Sequence, residues 1–258
     1  MAETLGDARN KDHVGGLAKG LRLVEAFDSA HTRMTVTEAA RSVNISLASA
    51  RRCLLTLCEL GYMQTDGKRY WLGHGALRVA YAYASSTRLP RLLQPALDAL
   101  SERSRESASL AVLHDNAAVI AARSTARRTM RVAIGVGSRL PLYCSSAGRT
   151  LLAALPPDRA ERLMCSVPLV ALTPRTVTDV GKLHQLLQAC REHGYAVCDE
   201  EIELGVRSVA VPLLNAAGET IAAMAISTRA ERMTLGDMVD EYVPALLRNQ
   251  AWARTRVD

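Results

Sequence analysis

The run TVTEAARSVNISLASARRCLLTLCELGYMQTDGKRYWL, residues 35–72, constrains this chain more than any other part of it. Two helical periodicities meet at Asn44-Ile45, and a turn between short β-prone runs follows. Thr35 or Thr37 caps a helix with apolar positions Val36, Ala39, Ala40 and Val43. Asn44 breaks it, because Asn enters the left-handed region more readily than most residues. Ser46 then caps a helix with apolar positions Ala50, Cys53, Leu54, Leu57 and Leu60, and Gly61 stops it. Upstream, Leu17, Leu21, Val24 and Phe27 recur at helical spacing and predict a first helix that fades at Asp28-Ser29.

At 100° per residue the direction opposite the apolar face of the third helix passes through Ala48, flanked by Arg51 and Arg52. Leu47 and Ser49 lie nearer the edges. Low bulk with two guanidinium forks suits a helix entering the DNA major groove. Leu55 also points outward and is expected to pack under the hairpin that follows. Asp66-Gly67 predicts a two-residue hairpin turn with Lys68 and Arg69 at its tip, within reach of phosphates. Three helices, a basic third helix and a basic hairpin in this order describe a winged helix-turn-helix. The expected DNA contacts are Thr35, Ser46, Leu47, Ala48, Ser49, Arg51, Arg52, Lys68 and Arg69.

Charge agrees with that placement. The chain has 258 residues and a net charge of +6; residues 1–88 carry 12 Lys+Arg against 8 Asp+Glu, and residues 89–258 carry 20 against 18. Hydrophobic content of 48% with 22% charged residues describes a globular protein. No apolar run approaches the ~18 residues of a membrane span, and the polar start lacks a signal-peptide core, so the cytoplasm is the expected compartment. The six cysteines lack zinc-site spacing and are read as buried reduced thiols.

Past the head, HGALRVAYAYASSTRLP reads as a linker helix ended by Arg88-Leu89-Pro90, with Leu77, Ala80, Tyr81 and Ala84 on one side for pairing with a second copy. The expected domains are 14–74 for DNA binding, 75–90 for the linker helix and 91–254 for effector binding. The last domain reads as helix 91–105, a hairpin turning at Asn116, a strand at 131–135, helices after Ser146, Pro156 and Asp179, three further strand runs and a helix capped by Thr234. That pattern is α+β with a mostly antiparallel sheet.

Catalytic motifs are missing: GVGSR lacks the third glycine of a dinucleotide loop and the Lys of a P-loop. The cluster Asp199, Glu200, Glu201 and Glu203 could supply paired carboxylates, and His114, His184 and His193 have no evident partner. An enzyme that metabolises a small acid, fused to a basic helical head, is therefore the rival reading. A binding pocket fits the residues better. YCSSAGR sets hydroxyls and backbone N–H groups at a helix start, where a carboxylate is favoured, and Ser208 and Ser227 interrupt apolar strands. No cofactor and no metal are expected.

With these residues in view, the chain from Leu17 to Arg254 resembles the IclR-type transcription regulators. MTVTEAA through SLASARRCLLTLCELGY carries the likeness in the head; GSRLPLYCSSAGRTLLA, GYAVCDEEIELGVRSVAVPL and AAMAIST carry it in the sensing domain. ARRCLLTLCELGY, YAYASST, SRLPLYCSSAGR and STRAERMT further resemble the branch that controls protocatechuate, 4-hydroxybenzoate and β-ketoadipate pathway genes. The resemblance implies a winged helix-turn-helix, a linker helix and a GAF/profilin-like effector domain. It also implies homodimers or homotetramers on double-stranded operator DNA, a small carboxylic-acid effector, and RNA polymerase as a further partner where a regulator activates. Effector-binding positions implied by it are Met130, Val132, Tyr143, Ser145, Ser146, Ala147, Gly148, Asp199, Ser208 and Ser227. Many relatives carry Cys at the position of Ser208 and a small residue or Thr at that of Cys144, which bears on which effector is bound.

Overall fold

The computed structural model describes residues 13–28, 30–125 and 134–257. The chain divides into two compact units, one ending at Ser86 and the other beginning at Thr87.

In the first unit, helices α1 (Gly15–Glu25), α2 (Val36–Ser42) and α3 (Leu47–Glu59) pack with strands β1 (Met34–Thr35), β2 (Met63–Thr65) and β3 (Arg69–Leu72), and α4 (Ala76–Ser86) follows. The strands form an antiparallel sheet in the order β1-β3-β2. Leu23, Phe27, Met34, Ala39, Leu54, Met63 and Tyr70 make its core. Asn44 has φ 52° and Gly61 φ 78°, so both helix breaks use the left-handed region the sequence implies.

Four expectations for this unit are corrected. On α1 the buried side carries Leu23, with Phe27 buried just past the helix end, whereas Leu17 and Leu21 are exposed; with Val14 they form a second apolar stripe facing outward. Two stripes on one helix both satisfy a period near 3.6, and spacing alone does not say which one meets the core. The two-residue turn at Asp66-Gly67 is replaced by a longer one, since Thr65 pairs with Tyr70. Side chains close that turn. The Asp66 carboxylate accepts the backbone N–H groups of Lys68 (2.9 Å) and Arg69 (2.7 Å), and Thr65 Oγ1 donates to the Arg69 carbonyl at 2.8 Å. Leu55 stays exposed instead of packing under the hairpin. Pro90 does not end the linker helix: α4 stops at Ser86, and α5 starts at Arg88 with Pro90 in its first turn, where no backbone N–H has an intrahelical acceptor.

The second unit is built on a six-stranded antiparallel sheet in the order β6-β5-β4-β9-β8-β7. Its strands are β4 (Ser107–His114), β5 (Ala117–Ser124), β6 (Arg139–Pro141), β7 (Ala196–Asp199), β8 (Val206–Leu214) and β9 (Thr220–Arg229). Helices α5 (Arg88–Ser104) and α9 (Leu235–Arg254) cover one face; α6 (Ser146–Ala153), α7 (Pro157–Met164) and α8 (Val180–His193) cover the other. Ala222, Met224 and Ile226 of β9 meet the first layer, and Ala223 and Ala225 meet the second. A sheet covered on both faces explains why TIAAMAIST reads as a continuous apolar run rather than an alternation. The α+β expectation thus takes the form of a helix-covered antiparallel sheet. Of the strand expected at 131–135, residues 131–133 lie outside the described residues and Ile134 and Gly135 are in no strand; the edge strand is β6. Asp179 caps α8 and Thr234 caps α9 in a capping box with Asp237.

One buried ion pair ties the second layer together. Arg149 of α6 makes two bonds of 2.6 Å to Glu201, and its Nε donates to the Tyr143 carbonyl at 2.8 Å. Glu201 also accepts the Val177 N–H at 3.0 Å, so the pair joins α6, the segment before β8 and the segment before α8.

Candidate nucleic-acid interface and effector cavity

On the first unit, Ser46 holds the start of α3: its Oγ accepts the Ser49 N–H at 3.3 Å. Leu47, Ala48, Arg51 and Arg52 are exposed beyond that cap. Neither guanidinium forms an ion pair among the described residues, so both charges stay available to a polyanion. Ser49 is corrected: it is 7% exposed and turned into the unit, as a residue on the edge of the apolar face becomes when the helix rotates slightly. The Thr35 hydroxyl is also engaged within the fold. It donates to Glu38 Oε2 at 2.9 Å, while the backbone N–H of Thr35 donates to the same oxygen at 2.7 Å. Those two bonds hold the Glu38 carboxyl below the ordinary carboxylate range, with the Arg69 and Arg41 guanidiniums adding to the shift.

Lys68 and Arg69 are exposed on the hairpin. Beside them is a group that the sequence did not place, Arg33, whose guanidinium lies 4.2 Å over the Trp71 ring. Trp71 Nε1 donates in turn to Gln64 Oε1 at 2.9 Å. Arg33 joins the hairpin because β1, only two residues long, pairs with β3. A strand that short gives no periodic signal.

On the second unit, Ser145, Ser146 and Ala147 at the start of α6 meet Ser208 and Ser227 of the sheet around one cavity. Ser145 Oγ accepts the Gly148 N–H at 3.1 Å, and the Ser146 hydroxyl donates to Ser208 Oγ at 2.8 Å. The cavity volume is about 50 Å3, room for a water or two, whereas an apolar cavity of ~150 Å3 holds benzene. Ser109, Cys198, Ile202 and Glu203 also line it and were not singled out from the sequence. The Cys198 thiol donates to the Cys144 carbonyl at 2.8 Å; burial pushes its pKa up to about 12 and that of Cys144 to about 11, so both stay protonated and inert. Cys165, by contrast with the expected burial, is exposed.

Three implied effector contacts do not reach this cavity. The Tyr143 hydroxyl donates to the Val170 carbonyl at 2.7 Å and accepts the Val170 N–H at 3.1 Å, which pins the segment before α8. Gly148 is a packing position: a Cβ there would stand 2.5 Å from Leu142 Cα. Asp199 sits on β7 one residue past Cys198, hence on the other face, and its carboxylate takes Arg207 Nε at 2.5 Å and Arg175 Nη1 at 3.0 Å. Met130 and Val132 lie outside the described residues.

The rest of the acidic cluster is engaged too. Glu201 is buried against Arg149, and Glu200 accepts the Gly205 N–H at 2.8 Å and lies 3.0 Å from Arg175. His114 and His184 are exposed, and His193 stacks on Tyr195. No two free carboxylates converge on a shared space among the described residues.

Family models place this geometry. The IclR helix-turn-helix domain matches residues 16–67, and the bacterial transcriptional regulator IclR C-terminal domain matches residues 81–254.

The chain belongs to the IclR family.

IclR proteins are transcription regulators, so the chain is a DNA-binding regulator and not an enzyme. Its match to the aromatic-pathway branch is equally direct. It is 38% identical over 237 residues to the Pca regulon regulatory protein of Pseudomonas putida, covering 92% of this chain and 81% of the relative. It is also 38% identical over 250 residues to the p-hydroxybenzoate hydroxylase transcriptional activator of Acinetobacter baylyi, covering 95% and 92%. Among solved structures, an IclR homolog from Microbacterium hydrocarbonoxydans complexed with 4-hydroxybenzoate superposes with TM-score 0.76 at 26% identity, covering 93% of this chain and 97% of that one.

Proposed function

We propose that this IclR-family regulator controls genes of aromatic-acid breakdown in response to a small organic acid that enters the α6 cavity. The observation that carries the reading is the meeting of the α6 N-terminus with Ser208 and Ser227 around one cavity. The backbone N–H groups of Ser146 and Ala147 in the first turn of α6 suit a carboxylate, and the sheet serines suit polar groups on the rest of the molecule. That relatives of this sequence regulate Pca and p-hydroxybenzoate hydroxylase genes, and that a structural neighbour holds 4-hydroxybenzoate, supports an aromatic acid as the class.

In this reading residues 14–74 read DNA, 75–90 link and 91–254 sense. Leu47, Ala48, Arg51 and Arg52 approach base edges in the major groove, and Lys68, Arg69 and Arg33 hold phosphates. The protein acts in the cytoplasm as a homodimer or homotetramer, with the exposed Leu77 and Tyr81 of α4 available to a second copy. RNA polymerase is a further partner if the regulator activates. A cavity of about 50 Å3 has to widen to admit an aromatic ring, so the acid selects a rearranged effector unit. Only the difference in its affinity for the two arrangements can move DNA binding.

The test titrates full-length protein against the duplex upstream of its own gene and against a scrambled duplex, with protocatechuate, 4-hydroxybenzoate or β-ketoadipate added. Preference for the upstream duplex that shifts with one acid is expected. Equal binding to both duplexes, unmoved by any acid, overturns the proposal.

A further inference from the structure

Two groups that the function above leaves unused stand in the sheet next to residues that line the effector cavity. Strand register brings them there. Cys198 pairs with Ser208, Ser208 with Ser227, and Ser227 with Ser107, so these four side chains stand in one row on the face that carries α6. The first three line the cavity. Ser107, the fourth, is 2% exposed, and its Oγ has no hydrogen-bond partner. An unsatisfied buried hydroxyl weakens the free protein, and one at the end of a polar row calls for an explanation.

The next row supplies a charge. Ser109, also in the cavity lining, pairs with Arg123 of β5, and register continued by one residue sets Thr125 opposite Ser107. Arg123 Nε donates to Thr125 Oγ1 at 3.2 Å, which draws the guanidinium along the strand towards the Ser107 row. Arg123 is half-buried, forms no ion pair among the described residues, and has its pKa lowered by desolvation. A guanidinium held partly out of water without a carboxylate has donors to offer an incoming oxygen.

Distance fits a single small acid. Ser208, which touches Ser146 at the start of α6, and Ser107 are two strands apart, or about 10 Å. One benzene ring with a substituent at each end spans that gap once a hydrogen bond of ~2.8 Å is allowed at either end.

We propose that Ser107 and Arg123 form a second subsite of the effector cavity, which binds an acceptor oxygen carried by the acid opposite its carboxylate. That oxygen belongs to a ring hydroxyl or to a second carboxylate. This rests on the effector reading given above and sharpens it: an acid bare at its far end is a poor effector because it leaves both groups unpaired.

The experiment measures calorimetric binding of benzoate, 4-hydroxybenzoate and terephthalate to full-length wild-type protein, Ser107→Ala and Arg123→Leu. Wild type is expected to prefer the two oxygenated acids to benzoate by about tenfold or more, the worth of one to two hydrogen bonds. Each variant should shrink that preference to within about threefold and leave benzoate affinity unchanged. A ring hydroxyl as the true group predicts that Ser107→Ala most affects 4-hydroxybenzoate; a second carboxylate predicts that Arg123→Leu most affects terephthalate. Ser107→Ala should unfold at the same temperature as wild type or higher, since it removes an unsatisfied group. Preferences unchanged in both variants, or benzoate lost along with the others, overturn the subsite while the effector reading stands. Failure of wild type to bind any of the three acids overturns the effector reading and the subsite with it.

Discussion

The DNA-reading unit and the effector unit solve opposite problems with the same residue, arginine. Arg51, Arg52 and Arg69 stand on an exposed surface with their charges free, whereas Arg149 is buried and fully engaged by Glu201, Tyr143 and Val197. In the first unit function is carried by what the fold leaves unpaired. In the second, stability depends on pairing almost everything: among the described residues the buried side-chain atoms left without a hydrogen bond are Ser107 Oγ and Glu106 Oε2, and Arg123 has no carboxylate partner. The contrast can be broken by experiment. Glu201→Leu leaves the Arg149 charge buried without its partner, and should destabilise the effector unit by ~3–5 kcal/mol. Denaturant unfolding checks it; a loss below ~1 kcal/mol would mean that the pair is exposed in solution.

Arg52→Ala sharpens the other side of the comparison. It should weaken operator binding by ~1–3 kcal/mol and relax preference at one base pair, with thermal stability unchanged. Unchanged affinity for both operator and random DNA would remove Arg52 from the groove. Lys68→Ala should weaken both duplexes alike and reduce the slope of log affinity against log salt by about 1. Thr35→Ala separates cap from contact: the capping box predicts a stability loss of about 1 kcal/mol, and a Thr35 engaged with Glu38 predicts little change in DNA affinity at saturating folded fraction.

The same contrast explains what the sequence made legible. Asn44, Gly61, Ser46, Asp179 and Thr234 act within a few residues of themselves, and each does in the structure what its type implies. Leu17 and Leu21 were misplaced because α1 carries two apolar stripes, and only packing against α3 chooses between them. The hairpin register escaped because Asp66 and Thr65 close the turn with side chains. Asp199 looked like a pocket residue by motif, yet alternation along β7 turns Cys198 inward instead. Ser107 and Arg123 are invisible to any local rule, since two strand registers and a hundred intervening residues bring Ser107, Ser227 and Ser208 into one row.

The two units should also respond to acid with opposite signs, which is the smallest effect and the most discriminating. In the first unit Asp66 is held below its ordinary value, chiefly by the backbone N–H groups of Arg69 and Lys68. A carboxyl whose folded pKa is depressed contributes stability that is complete above its unfolded value near 3.8 and is lost as pH falls through the folded one. In the second unit Glu106 is buried at the start of β4, and desolvation raises its pKa in spite of Thr228 at 2.8 Å and Arg232 at 2.9 Å. The folded form then binds more protons than the unfolded one above pH ~4.5, so stability falls as pH rises towards the folded pKa. Asp66→Asn should therefore lower the unfolding temperature at pH 7 more than at pH 3, and Glu106→Gln should be best tolerated at pH 7, where wild type bears the cost of the charged carboxylate. Unfolding curves of the two variants and wild type between pH 3 and 7 decide it. Parallel pH profiles for Glu106→Gln and wild type would show that Glu106 stays ionised throughout, with Arg232 outweighing burial.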